Sequence, residues 1–412
     1  MPPRKRRYPL FSAYSLSVEH AIVDRTTLQV LPLASVVLEA LASVPVAEGE
    51  RHDVELAPGV AAHTLVLRNT KVMRKTPKWA HKLAVLSAQA QRILDAHNAT
   101  VLSGGAHPFY VPARDASVGN GLPPEVRTVC DALFDTRKHG WSNDQGLKLG
   151  LYFDKADEFA KAHAAVRLLL PLIPGLAAAS PILEGKITDA MDARLDAHFT
   201  AFARVPELVG PMVPEAVFDT DAHDRAILSP IAQALVAHDS GNVLDAHTMD
   251  ARGATTQFDP GIIHLHVIDA QECPNADLAV VEFIIAVLKA LVNGRWVSNY
   301  LQRAWAADEL RAILLDTIKE GDQAMIGNRD YLLMFGLMQQ EAMPALKVWQ
   351  HLFVELYPEL SPAARTHIAH ILEHGTLATR IMARAGKRPT AEKLREAYAA
   401  LAQSHSANAA FL

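Results

Sequence analysis

Cysteine is nearly missing from this chain: of 412 residues only Cys130 and Cys273 carry thiols, and they stand far apart in sequence. Two isolated cysteines exclude a disulfide framework and a cysteine-based zinc site. They fit a reducing compartment, with the cytoplasm as the expectation. Long apolar runs are missing too. The run at residues 168–179 is too short to cross a membrane and is broken by Pro171 and Pro174, so no membrane partner is expected. Tyr8, Pro9, Ser12, Ser15 and Ser17 interrupt the stretch after the basic start, which argues against a secretory leader. There is no basic excess, with 40 Lys and Arg against 45 Asp and Glu, so nucleic acid is not expected as a partner. The one strong basic run, RKRR at residues 4–7, reads as a solvated tail. Walker-type loops, dinucleotide fingerprints, HExxH and Gly-x-Ser-x-Gly are all absent.

What remains is an ordinary globular composition, 50% hydrophobic and 21% charged, with 19 histidines. Its length suits two domains or one large one. Period-two alternation marks strands at residues 14–24, 61–68, 100–102, 147–153 and 262–268. Helical spacing marks residues 32–42, 78–98 and 157–170. After residue 277 the pattern is helical almost throughout, with breaks at Pro358, Pro362, Gly375 and Pro389. Residues 112–124, rich in Gly, Pro and Asp, read as an exposed connection. The expected organisation is a basic flexible tail over 1–13, a sheet-containing region over 14–276, and a helical region over 277–412 on the same core. That helical region also offers surfaces for a homodimer.

The 262–268 strand carries His264 and His266 at i and i+2, hence on one face. Such a pair can hold a metal or can be two solvated polar groups, and the strand alone does not decide.

Several stretches together resemble the glutamate–cysteine ligase type 2 group, the bacterial carboxylate–amine ligases. They are GAHPF (105–109), LPLIPGLAAASPILEGKITDAMDARL (170–195), VPELVGPMVPE (205–215), DARGATTQFD (250–259), VIDAQECPNADLAV (267–280) and HGTLATRI (374–381). The resemblance spans roughly residues 14–385. It implies an α+β, glutamine-synthetase-like fold, in which a curved, mainly antiparallel sheet forms a funnel with helices packed outside. In that family the funnel binds ATP and Mg2+ and activates a glutamate carboxylate for attack by an amine. Magnesium there needs hard oxygen ligands, and the transferring group needs a basic side chain.

The departures from the family pattern fall in the implied site. Where the family has Gly-x-Glu-x-Glu in its first strand, this chain has Ser15, Ser17 and Glu19. A strand glutamate is replaced by Val66, a strand histidine by Lys148, and Glu-Ile-Arg by His264-Leu265-His266. Thr256 and Gln257 replace Ala-Arg, His247 stands for another glutamate, and Asp250 replaces an asparagine. Two imidazoles and one carboxylate suit a transition metal better than magnesium. Iron or zinc held by Glu19, His264 and His266, with His247 as a further ligand, is therefore one expectation. Glu19, His107 and Arg252 are the candidate catalytic groups. Arg68, Gln145, Lys148, Lys186 and Arg252 are candidates to bind a small amino-acid-like or peptide substrate. An ATP- and Mg-dependent ligase with an atypical site is the second expectation, and a non-catalytic ligand-binding relative the third.

Overall fold

The protein is described from a computed structural model covering residues 6–43, 53–239, 241–338 and 341–412. Lys5 and the residues before it, including the first half of the RKRR run, lie outside the described residues. The rest of the expected tail is not free. Tyr8 packs edge-on against Tyr152, and the Arg7 guanidinium donates to the carbonyls of Asp154 and Phe258. The tail reading is thus corrected for residues 6–13, whose aromatic and arginine side chains find partners on the sheet region.

One antiparallel sheet organises the fold. Its strands are β1 (Tyr14–Asp24), β2 (Val54–Pro58), β3 (Thr64–Asn69), β4 (Ala99–Leu102) and β5 (Gly146–Tyr152). A two-stranded hairpin, β6 (Ile182–Leu183) with β7 (Lys186–Ile187), stands apart, and β8 (Ala254–Gln257) and β9 (Ile262–Asp269) complete the main sheet. The order across it is β2-β3-β1-β5-β9-β8, with β4 pairing the far end of β1. Gly261, at φ +93°, makes the turn from β8 to β9, and any side chain there would run into the Phe153 carbonyl.

Alternation along β1 sets the two faces. Leu16, Val18, His20 and Ile22 are buried, while Ser15, Ser17 and Glu19 face the other way and keep partial access to solvent. The buried face, with Leu67 of β3, Leu149 of β5 and Leu265 of β9, joins one large core. That core extends through the Ala156–Leu169, Pro274–Val292, Ala345–Leu356 and Pro362–His374 helices. The Pro274–Val292 helix is apolar nearly all round, as a helix enclosed on every side must be. A smaller cluster ties Ala21, Val23 and Leu102 to the last two helices, Leu377–Ala385 and Ala391–Ala407. Strand region and helical region therefore share their packing.

Several expected boundaries change. The Pro124–Phe134 helix lies where a connection was expected to end; its prolines sit in the first turn, where no amide donor is needed. In the region expected to be helical almost throughout, residues 299–320 are broken into two helices, Asn299–Arg303 and Ala307–Glu320, with the Glu309 carboxylate accepting from the Ala306 amide to start the second.

Candidate functional site

The polar face of the sheet floors a cleft of about 450 Å3. Strand register determines which side chains meet there. Ser15 of β1 pairs with Gly150 of β5, which pairs with His264 of β9, which pairs with Thr255 of β8. Ser17 pairs with Lys148, and Glu19 with Val66 of β3. A register shift between β5 and β9 sets Lys148 against residues 266–267. Glu19, Arg68, Lys148 and His266 all line the cleft.

Burial lifts the Glu19 carboxyl from its ordinary 4.5 to about 7, opposed by a hydrogen bond from Thr64 and by the nearby Lys148 ammonium, and reinforced by Asp144. Gly59 leaves room for this carboxyl, since a Cβ there would collide with Glu19 Oε1 and the Thr64 hydroxyl. Lys148 remains solvent-accessible within the concavity, yet the surrounding protein still lowers its pKa, while Asp144 and Glu19 pull the other way. Glu19 and Lys148 are thus electrostatic neighbours on one wall.

Opposite the sheet, the charges are already paired. Arg194, from the Ala193–Ala201 helix, donates to Asp144 at 3.0 Å and to buried Asp269, and its Nη atoms reach the His266 carbonyl at 3.2 Å. His198, one turn on, places Nδ1 3.2 Å from Asp144 and Nε2 3.2 Å from the Ala251 carbonyl. Burial would raise the Asp144 pKa, but Arg194 and His198 outweigh it and hold the group below the usual carboxylate range. Burial raises Asp250 to about 6 despite its partner Arg252.

Arg252, expected to grip substrate, is mostly spent on structure. Its Nε and Nη2 grip the two Glu215 oxygens at 2.8 and 2.7 Å, and Nη1 reaches Asp250 at 2.9 Å and two backbone carbonyls. These bonds leave one Nη2 hydrogen over, and the guanidinium lines the cleft, so Glu215 and Asp250 restrict the substrate-binding and catalytic roles expected of it to that single donor. His107 is corrected as well. It is buried away from the cleft, with Nε2 2.9 Å from the Leu28 carbonyl and Nδ1 accepting from the Phe109 amide. Lys186 sits exposed on the β6–β7 hairpin, and Gln145 is buried with its amide nitrogen donating to Asn143, so neither reaches the cleft. His247 lines a different cleft, beside Asp245 and Phe258. Arg68 lines the cleft, with Nε on Glu55 at 2.6 Å.

The metal triad does not assemble. The His264 and His266 rings lie 6.3 Å apart, and His266 Nε2 is 3.0 Å from the Thr255 hydroxyl. Glu19 lies two strands from β9, roughly 10 Å across the sheet. Among the described residues no three His, Cys, Asp or Glu side chains converge on a metal position. Burial, with Lys148 nearby, instead lowers His264 to about 4, and His266 further, so both imidazoles are neutral at physiological pH. Sequence reasoning passed over Asp144, His198 and Thr255. The i, i+4 spacing of Arg194 and His198 was the available signal for one of them.

The sequence pattern of glutamate-cysteine ligase family 2 matches residues 18–400. The chain belongs to that family. It is 27% identical over 260 residues to an uncharacterized protein of Archaeoglobus fulgidus, covering 63% of this chain and 70% of that one. It is also 27% identical over 194 residues to a putative glutamate–cysteine ligase 2-3 of Rubrobacter xylanophilus, covering 46% and 49% of the two chains. Its fold resembles the glutamate–cysteine ligase of Francisella tularensis crystallised with AMP, with TM-score 0.60, 11% identity, and 98% and 90% of the chains covered. It also resembles a bifunctional glutathione synthetase of Pasteurella multocida, with TM-score 0.62, 12% identity, and 97% of this chain covered against 53% of that one. The chain thus spans about half the length of two of these four proteins. The mixed antiparallel sheet and helical fold expected from the resemblance is the one observed. None of the described helices is long and apolar enough to cross a membrane.

Among the described residues three carboxylates line the cleft: Glu19, Asp144 and Asp250. Asp144 is held by Arg194 and Asp250 by Arg252, which leaves Glu19, itself beside the Lys148 cation. These residues do not fit a magnesium shell built from several strand carboxylates.

Proposed function

We propose that the chain is an enzyme acting on a carboxylate–amine pair, with a small amino-acid-like or peptide substrate bound in the cleft. Lys148 and Arg68 hold the substrate carboxylate. Glu19 exchanges the proton that the amine must lose or regain. The observation that carries this reading is the pairing of a carboxyl near pKa 7 with an accessible lysine on the same face of the sheet. A base whose pKa matches the working pH transfers protons most efficiently, and a neighbouring ammonium anchors an anion beside it. Family membership supports the substrate class.

A second reading, an ATP-dependent ligase with an atypical site, is favoured by the family match over residues 18–400 and by the similarity to a ligase solved with AMP. The two readings separate in one experiment. Amide formation and amide hydrolysis are followed by mass spectrometry with a panel of amino acids and dipeptides, with and without Mg-ATP. Turnover that ignores nucleotide and falls at least a hundredfold in Glu19→Gln supports acid–base chemistry in the cleft. ADP release tied to amide formation establishes the ligase reading. Full activity in Glu19→Gln would overturn the role given to that carboxyl.

A further inference from the structure

The cleft has two unlike sides. Its ionisable lining belongs to the sheet face or to the paired clusters opposite, and the remaining wall carries no ionised group. Leu122, Val126, Cys130, Trp141 and Phe202 make up that wall. The Trp141 ring lies 5.0 Å from Phe202 and stacks at 5.7 Å on Phe134, so the indole is backed by a second and third aromatic ring. Burial pushes the Cys130 thiol up to about 11, which keeps it neutral and apolar. Leu122, Val126 and Trp141 are only half-buried, leaving apolar area open to the cleft that a ligand would cover.

Resting on the reading above, we propose that this wall is a side-chain subsite: it receives an apolar or aromatic side chain of the substrate while Lys148 and Arg68 hold its carboxylate. The substrate is then anionic at one end and apolar at the other. An acidic or basic side chain is selected against, because the wall offers it no ionised partner once water is displaced.

The test is calorimetric titration with free phenylalanine, leucine, alanine and glutamate, repeated while Trp141 fluorescence is followed. Phenylalanine and leucine are expected to bind roughly tenfold or more tightly than alanine, the return on burying such a side chain. Val126→Phe, at a half-buried position that tolerates a larger group, fills the wall and should abolish that preference. The fluorescence change on adding phenylalanine should disappear in Trp141→Phe. Equal affinity for alanine and phenylalanine, both lost in Lys148→Met, overturns the subsite and leaves the function proposed above standing. AMP displacing phenylalanine and quenching Trp141 by itself also overturns it, since the wall then takes a nucleobase. Failure of every amino acid and dipeptide to bind contradicts the proposed function itself.

Discussion

At Glu19 the folded protein holds a proton more tightly than the unfolded chain does, because burial disfavours the carboxylate. Its pKa is raised from 4.5 to about 7 on folding. The resulting stabilisation is therefore fully present below pH 4.5 and is lost as pH rises through about 7. Urea unfolding at pH 5 and pH 8 should show a loss at the higher pH of up to about 3 kcal/mol that Glu19→Gln removes. An unchanged difference in the mutant would place the titration elsewhere. Lys148→Met should weaken binding of a carboxylate ligand roughly tenfold to a hundredfold, as loss of a charge-assisted hydrogen bond does. Legibility at this scale was mixed. The family resemblance was enough to assign Glu19, Lys148 and His266 to one site, and all three line the cleft. It could not show that Arg252 directs most of its donors to Glu215 and Asp250, because Glu215 is brought in from 37 residues away. Nor could it show that His264 and His266 lie two strands away from Glu19.

Among the elements, β1 was read to its exact residues, since buried and part-exposed positions alternate over residues 14–20 before the strand becomes buried on both faces. β2 was missed: it is five residues long, and its only near neighbours are β3 and the helices beside it. The Leu377–Ala385 helix was missed because Gly375 was read as a stop. The Thr376 hydroxyl caps it by accepting from the Thr379 amide. Element packing also shapes the site. Gly59→Ala would force a methyl group against the Glu19 carboxyl and Thr64 side chain. We expect a loss of about 1–3 kcal/mol in stability, read by thermal unfolding, together with a changed pH profile. A mutant as stable as the parent would show that the β2–β3 turn can move aside. Arg252→Ala strands two carboxylates, Glu215 and buried Asp250, and should cost about 3–5 kcal/mol. A mutant that keeps its stability but loses substrate binding would return Arg252 to the ligand.

For the whole molecule, the helical C-terminal third is part of the same cooperative body as the sheet. The buried Arg380 guanidinium donates to both oxygens of Glu272, at 2.9 and 3.1 Å, and to the Phe411 carbonyl at 2.7 Å. It thereby links the segment after β9 to the last helices. Arg380→Ala should cost about 3–5 kcal/mol while calorimetry still shows one transition. Two separated transitions would contradict a shared core. The fold itself was largely legible, since most of the motif residues at 170–182 and 267–280 that carry the resemblance are buried scaffold. The chemistry was less so. Substituted site positions reveal which family ligands are missing, and coordinates are needed to see what the replacements touch.

The central claim is that the cleft's own charges, Lys148 with Glu19 beside it, recognise a substrate carboxylate without help from nucleotide. Isothermal titration of the nucleotide-free protein with the amino-acid and dipeptide panel tests it most directly. The account predicts saturable one-site binding that Lys148→Met weakens at least roughly tenfold. Binding seen only after Mg-ATP is added, and unaffected by Lys148→Met, would contradict it.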